Sequence, residues 1–262
     1  MITKTVTDMK KLFFLLVVMF MGTASRAQTY HFDVNNDGEI ELTDALLIID
    51  YILGRFNPED NNPPQSHLAC PDDHHPHLID LGLPSGTKWA CCNVDTDHPE
   101  NQSPTNYGGY YAWGKTVTKS TYSWESYTHC DGSSSSCHDL GSDIAGTKYD
   151  VAHVKWGGSW VMPSRAQQDE LRDNCTYEWT TENGVKGGKF TGKNGGSIFL
   201  PAAGGRNYSD LINAGSGGGY WSSAQNPSYA NRAYYLYFGS DGTSADYYFR
   251  YNGFTVRPVS RN

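Results

Sequence analysis

The stretch from Trp156 to Leu171 constrains the fold most. Trp156 and Trp160 flank a Gly157-Gly158-Ser159 turn, and an apolar Val161-Met162 pair follows. Pro163 then stops the strand-like run, and Ser164 can cap a helix by accepting an orphan backbone amide of its first turn. Gln167 stands three residues on, at the spacing of a capping box. Ala166, Glu170 and Leu171 continue a short helix that is expected to end near Cys175. A tight turn, a short aromatic strand and a capped helix thus form an element on which the flanking aromatic, Gly-rich segments can pack. Nothing in this stretch has a catalytic arrangement.

The rest of the chain favours strands. Gly (28) and Tyr (18) are abundant and charged residues make up only 18%. That composition predicts short strands and many tight turns rather than a helical protein. Residues 1–27 read as a signal peptide: Lys4, Lys10 and Lys11 precede an unbroken apolar run from Leu12 to Met21, and Ser25-Arg26-Ala27 offers a cleavage site. The run is too short to span a bilayer. Without Lys4, Lys10, Lys11, Arg26 and Asp8, the 20 basic and 28 acidic side chains become 16 and 27, a formal charge of −11. That balance excludes nucleic acid and anionic lipid as expected partners and suits cation binding. The expectation is a protein secreted to the extracellular space or cell surface of a Gram-negative bacterium, with no membrane span after cleavage.

Residues 28–56 hold the most specific motif. Read as a twelve-residue loop, Asp33, Asn35 and Asp37 take positions 1, 3 and 5, Gly38 position 6, Glu39 position 7 and Asp44 position 12. A hard cation such as Ca²⁺ needs six to eight oxygens. Asp33, Asn35, Asp37 and Asp44 would offer side-chain oxygens and Glu39 its carbonyl, while Gly38 permits the sharp turn. The run Asp33 to Gly54, DVNNDGEIELTDALLIIDYILG, resembles one repeat of a dockerin, the module that attaches polysaccharide-degrading proteins to cohesins. The resemblance implies calcium as cofactor and a cohesin-like or other surface protein as partner, docked through the helix Thr43–Leu53. That helix is apolar almost all round, which calls for burial on most sides.

Residues 57–77 are rich in Pro, Asn and Asp and read as a linker. Its Asp72, Asp73, His74, His75 and His77 read as polar linker side chains rather than a metal site. All six cysteines, Cys70, Cys91, Cys92, Cys130, Cys137 and Cys175, follow the leader, which in an exported chain reads as disulfides. Cys130 and Cys137 flank a Ser-rich loop and can bridge locally. Cys92 with Cys175 and Cys70 with Cys91 is the pairing taken for the rest, although sequence leaves the connectivity open.

From residue 78 to 262 short strands are expected at 78–90, 107–114, 189–192, 197–201, 219–222, 233–238 and 254–259, with turns at 207–210 and 240–242. The blocks DLGLPSGTKWA, YGGYYAWGK, WGGSWVMPSRAQQDEL, GGKFTGKNGGSIFLPAAGGRN, GGYWSS, AYYLYF and YNGFTVRPV resemble, in order, the Fibrobacter succinogenes major paralogous domain. That family is similar to the C-type-lectin-like fold. The implied class is α+β: short twisted antiparallel sheets with one or two helices, preceded by the calcium loop–helix. No Trp-Asn-Asp strand accompanies Gln225-Asn226-Pro227, so a calcium-bridged sugar site is not implied.

Tyr220, Trp221 and Tyr229 head a dense aromatic set, with Tyr234, Tyr235, Tyr237, Tyr247, Tyr248 and Tyr251, that could stack against a glycan. No nucleophile elbow, His-Glu-x-x-His helix or phosphate loop is present, and no catalytic residue is assigned. The sequence therefore reads as a cell-surface binding or adhesion protein recognising polysaccharide or a surface protein. The alternative is an accessory or enzymatic subunit of a polysaccharide-degrading assembly.

Overall fold

The computed structural model describes residues 78–94 and 103–260. The calcium loop, the Thr43–Leu53 helix, the 57–77 stretch and Cys70 lie outside the described residues.

Four antiparallel sheets organise this part of the chain. Strands β1 (Leu78–Asp80) and β2 (Lys88–Ala90) form a hairpin around Pro84-Ser85, and β14 (Val259–Ser260) joins β2 to β4 (Trp160–Val161). The terminal strand thus closes the first hairpin onto the aromatic element that opens at Trp156. A second sheet orders β3 (Tyr111–Ala112), β13 (Gly253–Phe254), β8 (Gly205–Asn207) and β9 (Asp210–Ile212). The third runs β5 (Thr176–Glu182), β6 (Val185–Thr191) and β7 (Ser197–Pro201). The fourth, with the longest strands, runs β10 (Gly217–Gln225), β11 (Arg232–Gly239) and β12 (Gly242–Phe249).

Turn chemistry sets the hairpins. Asn183-Gly184 joins β5 to β6 with both residues at positive φ, 48° and 81°, the conformation a two-residue turn needs to follow the strand twist. Ser240-Asp241 joins β11 to β12 by a different turn, in which the positive φ, 123°, falls on Gly242, the residue opposite Gly239.

Helix α1 (Val151–Trp156) and helix α2 (Arg165–Asn174) have only 6 and 10 residues. Ser164 caps α2: its hydroxyl accepts from the Gln167 amide at 3.2 Å, and Gln167 Oε1 accepts from the Ser164 amide at 2.9 Å. Gln168, buried on the inner face, donates to the carbonyls of Tyr220 (3.0 Å) and Trp221 (3.2 Å), which pins α2 to β10. One core gathers Leu81, Trp89, Leu171, Phe190, Leu200, Tyr220, Leu236 and Phe238. Another gathers Trp113, Trp156, Trp160, Met162, Trp221 and Val256.

The described residues are therefore mainly β, which corrects the α+β, C-type-lectin-like expectation; the expected calcium loop–helix lies outside them. The physical reason lies in local sequence: Gly-, Tyr- and Thr-rich segments pair into hairpins, and the described helices amount to one short turn at residue 151 and the capped run after Ser164.

Candidate functional site

The face of the β10–β12 sheet opposite Leu236 and Phe238, which also borders the core around Trp221, carries the candidate site. Along β11 successive side chains point to opposite faces. Leu236 and Phe238 enter the core, and Tyr235 and Tyr237 take the other face. Register places Ala233 beside Tyr248 of β12, so the Tyr248 ring joins them. Phe254 of β13 closes the group, stacked on Tyr235 with centroids 5.0 Å apart and planes 13° from parallel. It also leans on Trp221 at 4.7 Å. A Cβ at Gly219 would sit 2.8 Å from the Phe254 ring, so the glycines of β10 let this ring approach the backbone.

Between these rings and the β8–β9 hairpin lies a cleft of about 110 Å³. Tyr235, Tyr237, Tyr248 and Phe254 form one wall, Ile212 and Asn213 the other, with Gly204, Gly205, Gly219 and Asn252 between them. No charged side chain lines it. Tyr237 and Tyr248 are 36% and 41% exposed, and Ile212 43%, which is unusual for side chains of their size. Burial pushes the Tyr235 hydroxyl up to about 12, and the carboxylate of Asp246, its cross-strand neighbour, pushes the same way. The phenol thus stays neutral at physiological pH. Asn252 is buried, and its Nδ2 donates to the Phe249 carbonyl at 3.3 Å. The cleft offers ring faces, amides and neutral hydroxyls, a set suited to binding.

Of the three buried charged side chains elsewhere among the described residues, Asp150, Arg250 and Arg257, the first two hold loops. Asp150 caps α1 and accepts from the backbone amides of Gly146 (2.9 Å), Ala152 (2.9 Å), His153 (3.1 Å) and Met162 (3.0 Å). Burial pushes its carboxyl up, and the same four amides pull it back down. Arg250 lies over the Trp113 ring at 4.6 Å and donates to Tyr127 Oη (3.0 Å) and to the carbonyls of Ala230 (2.8 Å) and His138 (3.1 Å). Its charge rests on ring faces and carbonyls and ties the 113–138 segment to the end of β12.

Several predicted site residues take other positions. Tyr220 and Trp221 are fully buried, so they are core residues and not a ligand platform. The Tyr220 hydroxyl donates to the Pro201 carbonyl at 2.7 Å, and Trp221 Nε1 donates to the Tyr111 carbonyl at 2.8 Å. Tyr229 is exposed but outside the cleft, beside Tyr247 and under the Arg232 guanidinium. Phe254, Asn213 and Asn252 are not among the residues the sequence marks as a site; Tyr235, Tyr237 and Tyr248 are named there only as members of the dense aromatic set. Cys130 and Cys137 are joined in a disulfide. Cys175 carries a free thiol, so the expected Cys92–Cys175 bridge is not formed. Burial first, and then Glu170, push that thiol up to about 11.

Among the described residues no group of three His, Cys, Asp or Glu is placed to hold a metal. The calcium candidates Asp33, Asn35, Asp37, Glu39 and Asp44 lie outside them. Their donor set contains only oxygen, which fits a hard cation and not zinc or copper. No helix among the described residues is long and apolar enough to cross a membrane.

No curated protein and no solved structure matches the chain. Nothing in these comparisons supports the paralogous-domain resemblance of residues 78–262. The dockerin type I domain family matches residues 30–68, which includes the whole twelve-residue loop and runs past residue 56 into the stretch read as a linker.

Proposed function

We propose that this chain is an exported binding protein that carries a calcium-dependent docking module ahead of its β domain. The dockerin match over residues 30–68 is the observation that supports this reading. In it, residues 1–27 direct export, residues 28–56 dock, 57–77 link, and 78–262 present the aromatic cleft at a cell surface or within an extracellular assembly. Asp33, Asn35, Asp37 and Asp44 would hold the ion through side-chain oxygens, and Glu39 through its carbonyl. Bound calcium supplies a positive centre that offsets the mutual repulsion of these carboxylates. Asp44 stands at the start of the apolar run Thr43–Leu53, so the site is coupled in sequence to the segment that would meet a cohesin. The ligand of the β domain, in this reading, is a polysaccharide or a surface protein.

Calorimetric calcium titration of the full chain tests the module. The wild type should bind about one ion per chain, with an affinity within the nanomolar-to-millimolar span of twelve-residue loops. Asp33→Ala combined with Asp44→Ala should abolish that heat. Equal calcium binding by the two proteins would remove the metal site from the account.

A further inference from the structure

We propose that the cleft between β11–β12 and the β8–β9 hairpin is a subsite for one neutral pyranose ring of a longer glycan. This rests on the binding-protein reading above and names the ligand class. Three observations carry it. First, the walls present flat ring faces. Tyr237 and Tyr248 stand on one face of the sheet and remain 36% and 41% exposed. Tyr235 is fixed behind them by its stack on Phe254. A pyranose has apolar C–H faces that stack on such rings, and rings already held in place lose little entropy on binding.

Second, the lining carries no charge, although the chain has a net charge of −8. An anionic ligand would find no counter-ion there and would meet the Asp246 carboxylate beside Tyr235, whereas a neutral polyhydroxylated one needs no counter-ion. Third, the lining includes two side-chain amides. Asn252 is 1% exposed and is held in place by its Nδ2 bond to the Phe249 carbonyl. Asn213, on the opposite wall, stands at the rim in a left-handed conformation with φ 60°. A sugar hydroxyl can hydrogen-bond with these amides, and an aliphatic peptide side chain cannot. The ring faces and the amides together select a ring with apolar faces and a hydroxylated edge. The volume of about 110 Å³ is enough for part of a ligand only, so neighbouring units of the glycan would lie outside the cleft.

The test uses the full chain with cellohexaose, xylohexaose and mannohexaose, measured by calorimetry. Wild type should bind at least one of them. Tyr237→Ala and Tyr248→Ala should each weaken that binding by about tenfold, the loss of one stacking face. Tyr237→Phe keeps the ring and should stay within about threefold of wild type, which a general loss of fold would not allow. Asn252→Ala should weaken binding, and Tyr229→Ala, outside the cleft, should not. Binding of a hexasaccharide with unchanged affinity in both tyrosine-to-alanine variants would place the site elsewhere and overturn the proposal. A wild-type chain that captures a cohesin yet binds none of the three sugars would overturn it while leaving the docking reading intact.

Discussion

Asp150 offers the sharpest test of how the β domain is held together. Its carboxylate is fully buried and accepts four backbone amides, from Gly146, Ala152, His153 and Met162, at 2.9 to 3.1 Å. These donors come from the turn before α1, from α1 itself and from the end of β4. Asp150→Ala removes the acceptor and leaves four N–H groups facing an apolar methyl. Loss of a helix cap alone costs about 0.5–2 kcal/mol. Each stranded buried donor adds roughly 1–3 kcal/mol, less where the site can relax or admit water. Partial relaxation brings the total to about 3–5 kcal/mol, a large part of a typical domain stability of about 5–15 kcal/mol. Asp150→Asn keeps one oxygen, but its NH₂ then faces the amides of either Gly146 and Met162 or Ala152 and His153, so about 1–3 kcal/mol is expected. Urea denaturation followed by tryptophan fluorescence reads both values as midpoint shifts at constant slope. A loss below about 1 kcal/mol for Asp150→Ala would refute the reasoning, because it would mean that the four amides find other partners at no cost.

Further expectations follow from the same structure. Burial first, and then the Lys115 charge, lower His129 from its ordinary 6.5 to about 4. The folded state therefore favours the neutral ring, and its contribution to stability is full above about 6.5 and falls as pH drops towards about 4. His129→Gln should flatten the acid limb of a stability-against-pH curve in that window, and an unchanged limb would count against it. Alkylation followed by mass spectrometry without reduction should leave Cys130 and Cys137 unmodified, joined to each other. With its thiol raised to about 11, Cys175 should react slowly at pH 8 and faster as pH approaches that value; rapid labelling at pH 8 would contradict this. Arg250→Lys should cost about 2–3 kcal/mol in urea, since an ammonium cannot serve Tyr127, His138 and Ala230 together while lying on Trp113. No midpoint change would show that the guanidinium does not hold the 113–138 segment.

Local signals explain what the sequence made legible. Ser164 and Gln167 are three apart, and the reciprocal bonds of a capping box form between them. Cys130 and Cys137 lie close along a polar loop, and the disulfide forms there. Strands β7, β10 and β11 fall within or around the aromatic runs that marked them. Strand β5 was missed even though Asn183-Gly184, a strong hairpin signal, stands at its end. Strand β12 was missed because Gly242, Ser244, Ala245 and Asp246 favour strands weakly; its place comes from pairing with β11 along its whole length. Helix α1 is too short for a periodic pattern and depends on Asp150, whose fourth donor comes from Met162, 12 residues on. The aromatic site failed in a different way. Tyr220 and Trp221 look like Tyr235 and Tyr237 in composition; register turns Tyr220 towards the core with Leu236, but Trp221 shares the face of Tyr235 and is buried by what packs on it, Phe254 included. Phe254 and Asn252 reach the cleft from another sheet and its flank, a juxtaposition that no local pattern encodes.

The central claim is calcium-controlled docking through residues 30–68. The most direct measurement is capture of the full chain by an immobilised type I cohesin, read by biolayer interferometry in calcium and again in EGTA. The account predicts saturable binding in calcium, loss of that binding in EGTA, and no binding by the Asp33→Ala/Asp44→Ala chain in either buffer. Equal capture with and without calcium, or no capture in calcium by a wild type that binds the ion, would contradict it.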